Sequence, residues 1–263
     1  AHAAQSTEMS KALRMVQTAV AGLGFTVVVE EPFVVVGDES PETVRRRAAS
    51  TVRWAVHHLK KSYFPKNPKE VLTVWLFKDQ QSYEKHTWKF WRNKPSTPFG
   101  YYSPGEGVLV MNIATGGGTL VHEIVHPFMA ANFPNCPAWF NEGMGSLYEQ
   151  SSERNGQIVG LLNWRLSGLQ RTIRKGTLPS FQALMRTTDR QFYDHDPGSN
   201  YAQARYLLYY LQENGLLRRY YRAFHDNQAS DPTGYRTLQK LLGVSDLKTF
   251  QQDWEAWVLR LKR

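Results

Sequence analysis

The chain has 263 residues, 41% of them apolar and 13% aromatic, enough to bury a substantial core in one large domain or two packed lobes. Its formal charge of +9 is spread along the chain, with only short clusters such as Arg45-Arg46-Arg47, Lys60-Lys61 and Arg218-Arg219. That excludes the concentrated basic arm of a nucleic-acid binder, so no nucleic-acid partner is expected. The single cysteine excludes an internal disulfide framework, and no apolar run has the length of a membrane span.

The chain opens Ala1-His2-Ala3-Ala4-Gln5, which reads as the end of an Ala-x-Ala processing site and points to a secreted or periplasmic address. Glu8 to Leu23 has apolar residues at helical spacing and stops at Gly24. Phe25 to Val36 is rich in Val and broken by Glu30-Glu31-Pro32, which predicts two strands or a hairpin. Asp38-Glu39-Ser40-Pro41 starts a long helix to about Tyr63. Val71 to Phe77 is a strand, Asp79 opens a helix to about Asn93, Pro95 to Gly107 is turn-rich, and Gly107 to Ile113 is a strand. Ala114-Thr115-Gly116-Gly117-Gly118 is flexible backbone leading into the next helix.

That helix carries His122-Glu123-Ile124-Val125-His126, the pattern His-Glu-x-x-His. Positions i and i+4 share a helical face, so both imidazoles can converge on one metal ion, with Glu123 beside them to move protons. A catalytic zinc normally takes three protein ligands and keeps an open position for water. Pro134 and Pro137 break the chain, a second helix is predicted from Ala138 to Tyr148, and Glu142 little more than a turn into it can supply the third ligand. Pro127 has no N–H for the Glu123 carbonyl, which predicts a kink beside the ligands or an early helix end. Cys136 reads as a helix cap or a core thiol. Glu149, seven residues after Glu142, lies on the same helical face and reads either as a carboxylate orienting a ligand histidine or as a surface residue.

His-Glu-x-x-His followed by Trp139-Phe140-Asn141-Glu142-Gly143 resembles the gluzincins, zinc peptidases with two His ligands and one Glu ligand. The Asn-Glu-Gly wording is similar to the aminopeptidase N family and the smaller peptidase MA-like proteins. The resemblance implies a zincin-like α+β fold. Its N-terminal lobe, about 8–133, would carry a small mixed sheet with helices and the metal helix. A mainly helical C-terminal lobe, about 134–263, would follow in the same catalytic domain, with the zinc site in the cleft between the lobes. It also implies one zinc per chain on His122, His126 and Glu142, with Glu123 as general base. The strand before the metal helix, Val108 to Asn112, would be the sheet edge along which a peptide substrate pairs.

After Glu149 the chain is predicted to be largely helical, with helices over Leu161–Lys175, Leu178–Met185, Asn200–Asn214, Leu217–Phe224, Gly234–Leu242 and Ser245–Leu261. Tyr201-Ala202-Gln203-Ala204-Arg205 and the apolar run after it resemble the family segment in which a Tyr before a helix supports the tetrahedral oxyanion. The resemblance gives that role to Tyr201, with Tyr193 in reserve and His195 as a further polar contact. The family's Gly-x-Met-Glu-Asn segment, whose Glu binds a substrate amine, is missing here: Met111-Asn112 has no Glu between its residues. Endo- and exopeptidase action both stay open.

These readings predict a zinc metallopeptidase acting on peptide or protein substrates. The alternative is an inactive peptidase-like module that binds peptides or, through its basic surface, anionic cell-envelope polymers.

Overall fold

A computed structural model describes residues 2–194 and 199–263, with side chains from Ser6 onward in the first helix. Ala1, part of the processing reading, and His195 lie outside the described residues. The chain divides into two compact units, one up to Asn132 and one from Phe133.

The first unit starts with α1 (His2–Ala19), β1 (Thr26–Glu30) and β2 (Phe33–Gly37). The helix predicted from Pro41 follows as α2 (Pro41–Arg47), a π-helical stretch Ala48–Arg53, and α3 (Trp54–Ser62). Pro41 pre-sets the first turn, and the Ser40 hydroxyl caps it by accepting from the Thr43 amide at 3.3 Å. β3 (Leu72–Phe77) leads into α4 (Gln80–Trp91), capped by Asp79, which accepts from the Ser82 amide at 2.8 Å. Then come β4 (Gly100–Ser103), β5 (Val108–Asn112), a 3₁₀ turn Ile113–Thr115 and α5 (Gly117–Asn132).

The five strands form one sheet in the order β1-β2-β3-β5-β4. β2, β3 and β5 are parallel, while β1 and β4 run antiparallel on the two flanks. The inner strands are mostly apolar, with Thr73 and Asn112 as exceptions, because both sheet faces are covered. Val34, Val36, Trp75, Val108 and Val110 face α1 through Met9, Val16 and Val20. The opposite face carries Phe33, whose ring lies 6.2 Å from Phe128 of α5, and Phe64 stacks on Phe128 at 6.0 Å.

One expectation is corrected here. Val108–Asn112 is not an edge: β3 pairs on one side of it and β4 on the other. The turn-rich segment contains a short strand because Gly100 lets the backbone come close to β5. A Cβ at Gly100 would sit 2.7 Å from the Val110 carbonyl oxygen. The edge beside α5 is therefore β4.

The second unit holds α6 (Ala138–Tyr148), β6 (Ser151–Arg154), β7 (Gln157–Gly160), α7 (Arg165–Arg174), α8 (Phe181–Met185), α9 (Asp189–Asp194), α10 (Asn200–Glu213), α11 (Leu217–Asn227), α12 (Tyr235–Leu242) and α13 (Leu247–Arg260). It is helical as expected, apart from the β6–β7 hairpin. Asn155 at φ 54° and Gly156 at φ 72° make its turn, where the right-handed strand twist favours two left-handed residues. α10 packs along α6. The core around them contains Trp139, Phe140, Tyr220 and Phe224, and Trp254 donates from Nε1 to the Tyr206 carbonyl at 3.1 Å. The fold class is thus α+β, with a small mixed sheet. Among the described residues no helix is long and apolar enough to cross a membrane.

Candidate metal centre

α5 forms because Leu120, Val121, Ile124, Val125, Phe128 and Met129 recur at helical spacing and are buried. The same spacing stacks His122 and His126 one above the other, with ring centroids 4.9 Å apart and planes inclined at 71°. Nitrogens of both rings and a carboxylate oxygen of Glu123 all lie within 4.8 Å of one another. Glu123 Oε2 is 4.0 Å from His126 Nε2, and each of these two side chains keeps 12% exposure, so a small molecule can reach them. α5 runs on through Pro127 to Asn132, so the proline does not end it. Asn132 ties the far end by donating to the Lys66 carbonyl at 2.8 Å and accepting from the Lys66 amide at 3.0 Å. On α4 the Tyr83 phenol is held well above its usual range, first by burial and then by Tyr101 and the Glu123 charge.

Glu142, on α6, is buried and accepts a hydrogen bond from the Tyr193 hydroxyl at 2.7 Å. Tyr193 lies on α9 and is 48% exposed. Burial, the Glu142 charge and this hydrogen bond all push its phenol up, so Tyr193 is a neutral donor. Tyr201, at the start of α10, sits under the Arg165 guanidinium, 5.2 Å from ring centroid to Cζ, and against Phe192 at 5.1 Å. Arg165 also grips Glu149 with two hydrogen bonds, of 2.8 and 2.6 Å, and Asn163 donates to Glu149 at 3.1 Å. Glu149 is therefore no surface residue but the buried half of an ion pair with the half-buried Arg165, which leads to Tyr201. No sequence signal singled out Arg165.

Arg205 is fully buried on α10 and donates to the carbonyls of Ser146, Leu147 and Leu161. Ser146 and Leu147 belong to the last turn of α6, whose carbonyls have no helical partners and whose dipole end is negative. Burial lowers the Arg205 pKa to about 10, which still leaves it charged at neutral pH. Cys136 precedes Pro137, the N-cap of α6, and burial holds its thiol well above the usual range. It is a half-buried thiol, neither a core residue nor the cap.

The group that could hold a metal ion is His122, Glu123 and His126, two imidazoles at i and i+4 with a carboxylate beside them, and Glu142 is not part of it. No protein-family model matches the chain, and no curated protein matches it.

Proposed function

We propose that the protein is a zinc-dependent peptide hydrolase of gluzincin type and zincin-like fold, in which His122, His126 and Glu142 hold the metal. The observation that carries this reading is the convergence of His122, Glu123 and His126 within 4.8 Å on one face of α5. Zinc, when bound, supplies Lewis acidity that acidifies water and polarises a carbonyl.

The chain's own groups do the rest. Glu123 takes the proton of the attacking water and delivers it to the leaving amine. Tyr201 donates its phenolic hydrogen to the developing oxyanion, with the ring held in place by Arg165 and Phe192. The free edge of β4 pairs with peptide backbone without regard to sequence.

Protein purified without added metal should contain one zinc per chain, and His122→Ala or His126→Ala should lose it. Glu123→Gln should keep zinc and lose about 10²–10⁴-fold in activity on unstructured peptides. Full zinc occupancy in both histidine variants, or an undiminished Glu123→Gln enzyme, would refute the reading.

A further inference from the structure

Arg165 has more donors than Glu149 uses. A guanidinium carries five N–H groups in one plane, arranged as two edges that each fit a carboxylate. Glu149 takes the side edge, accepting from Nε at 2.8 Å and from Nη2 at 2.6 Å. Among the described residues nothing accepts from Nη1, yet Nη1 is not sealed from water: the side chain keeps 25% exposure. The end edge, one hydrogen of Nη1 and the second of Nη2, is therefore open to a carboxylate from outside.

This edge is also held ready. Glu149 is buried, Asn163 donates to it at 3.1 Å, and the Arg165 amide donates to the Asn163 side-chain oxygen at 3.1 Å. The guanidinium lies over the Tyr201 ring at 5.2 Å and over Trp164 at 5.6 Å, and stacking on a ring engages its face rather than its N–H edges. Trp164 is 50% exposed, so an apolar surface that a peptide can cover adjoins the edge. Charge favours an anion there. The buried guanidinium of Arg205 feels both Glu149 and Arg165. Glu142, whose charge also acts on Arg165, goes to the metal in the reading above, and Arg165 and Arg205 then share Glu149.

We propose that the open edge of Arg165 binds a carboxylate of the peptide substrate, from a C-terminus or an acidic side chain, and so helps select the peptides that the site accepts. The proposal rests on the peptide-hydrolase reading for its consequence, but binding tests it separately. The probes are N-acetylated unstructured hexapeptides in matched pairs: C-terminal acid against amide, and Glu against Gln at each internal position of the amide. They are titrated into the full-length Glu123→Gln chain with zinc. In at least one kind of pair the carboxylate member should bind about 10–100-fold tighter. A preference confined to the acid–amide pair makes the C-terminus the source, and one confined to a Glu–Gln pair makes it the side chain.

In the same background Arg165→Lys keeps a cation for Glu149 but loses the fork, and should cut the ratio several-fold. Arg165→Met combined with Glu149→Gln removes both charges without stranding a buried carboxylate, and should bring the ratio to about one. A merely structural Arg165 would weaken both members of a pair alike. No carboxylate preference, or one that survives in the double variant because zinc holds the carboxylate, overturns the proposal even if the chain with Glu123 cleaves peptides. Preference lost in the double variant, with no cleavage by the chain with Glu123, upholds the Arg165 subsite and sinks the hydrolase reading.

Discussion

The Tyr193 hydroxyl donates to Glu142 at 2.7 Å, joining residues 51 apart in sequence. A neutral phenol on one oxygen of a carboxylate fixes the carboxylate's direction, and Glu142 is the proposed third zinc ligand. Tyr193→Phe should therefore weaken zinc binding by about 10–100-fold, read by competition with a chelator. Folding should be little affected, since Tyr193 is half exposed. Unchanged zinc affinity would show that Tyr193 has no hold on the metal ligand.

Tyr201→Phe should lower kcat and kcat/KM together by about 10²–10³-fold, with zinc content and melting temperature nearly unchanged. The phenyl ring stays under Arg165, so the packing is kept. A loss of about a kcal/mol of stability with little loss of turnover would instead mark Tyr201 as a structural residue.

Gly143 is next to the candidate ligand but answers to packing. A Cβ there would lie 3.0 Å from Leu208 Cδ1 and 3.3 Å from Ala204 Cβ, both on α10. Gly143→Val should cost about 1–3 kcal/mol by forcing α6 and α10 apart. Denaturant unfolding measures it, and a variant as stable as the parent would mean that the helices yield freely.

Tyr220 sets an alkaline limit on stability. It is fully buried and donates to the Gly234 carbonyl at 2.9 Å, and burial holds its phenol well above the ordinary 10.0. Below that ordinary value both folded and unfolded chains keep the proton, and the contribution to stability is complete. Above it only the unfolded chain releases the proton, so stability falls by about 1.4 kcal/mol per pH unit for this group. Urea unfolding followed upward from about pH 10 should show the decline, and Tyr220→Phe should flatten it by that amount. An equal slope in the variant would mean that other groups govern the alkaline limit.

Backbone periodicity made much of the fold legible. The i, i+4 spacing of His122 and His126 alone puts their rings together on α5, and the β-branched runs at Val27–Val29 and Val34–Val36 became paired strands. The β6–β7 hairpin was also readable, since Asn155-Gly156 is a strong two-residue turn signal, but the helical surroundings hid it.

By itself the sequence determined whatever depends on near neighbours: which face of α5 carries the imidazoles, and that a proline break precedes the helix of Glu142. Tertiary structure alone decided that β4 rather than β5 is the sheet edge, that Tyr193 holds Glu142, and that Arg165 ties Glu149 to Tyr201. The physical reason is range. Helical and strand periods act over a few residues, whereas a short strand such as Gly100–Ser103, or a hydrogen bond across 51 positions, forms only when packing brings its partner close.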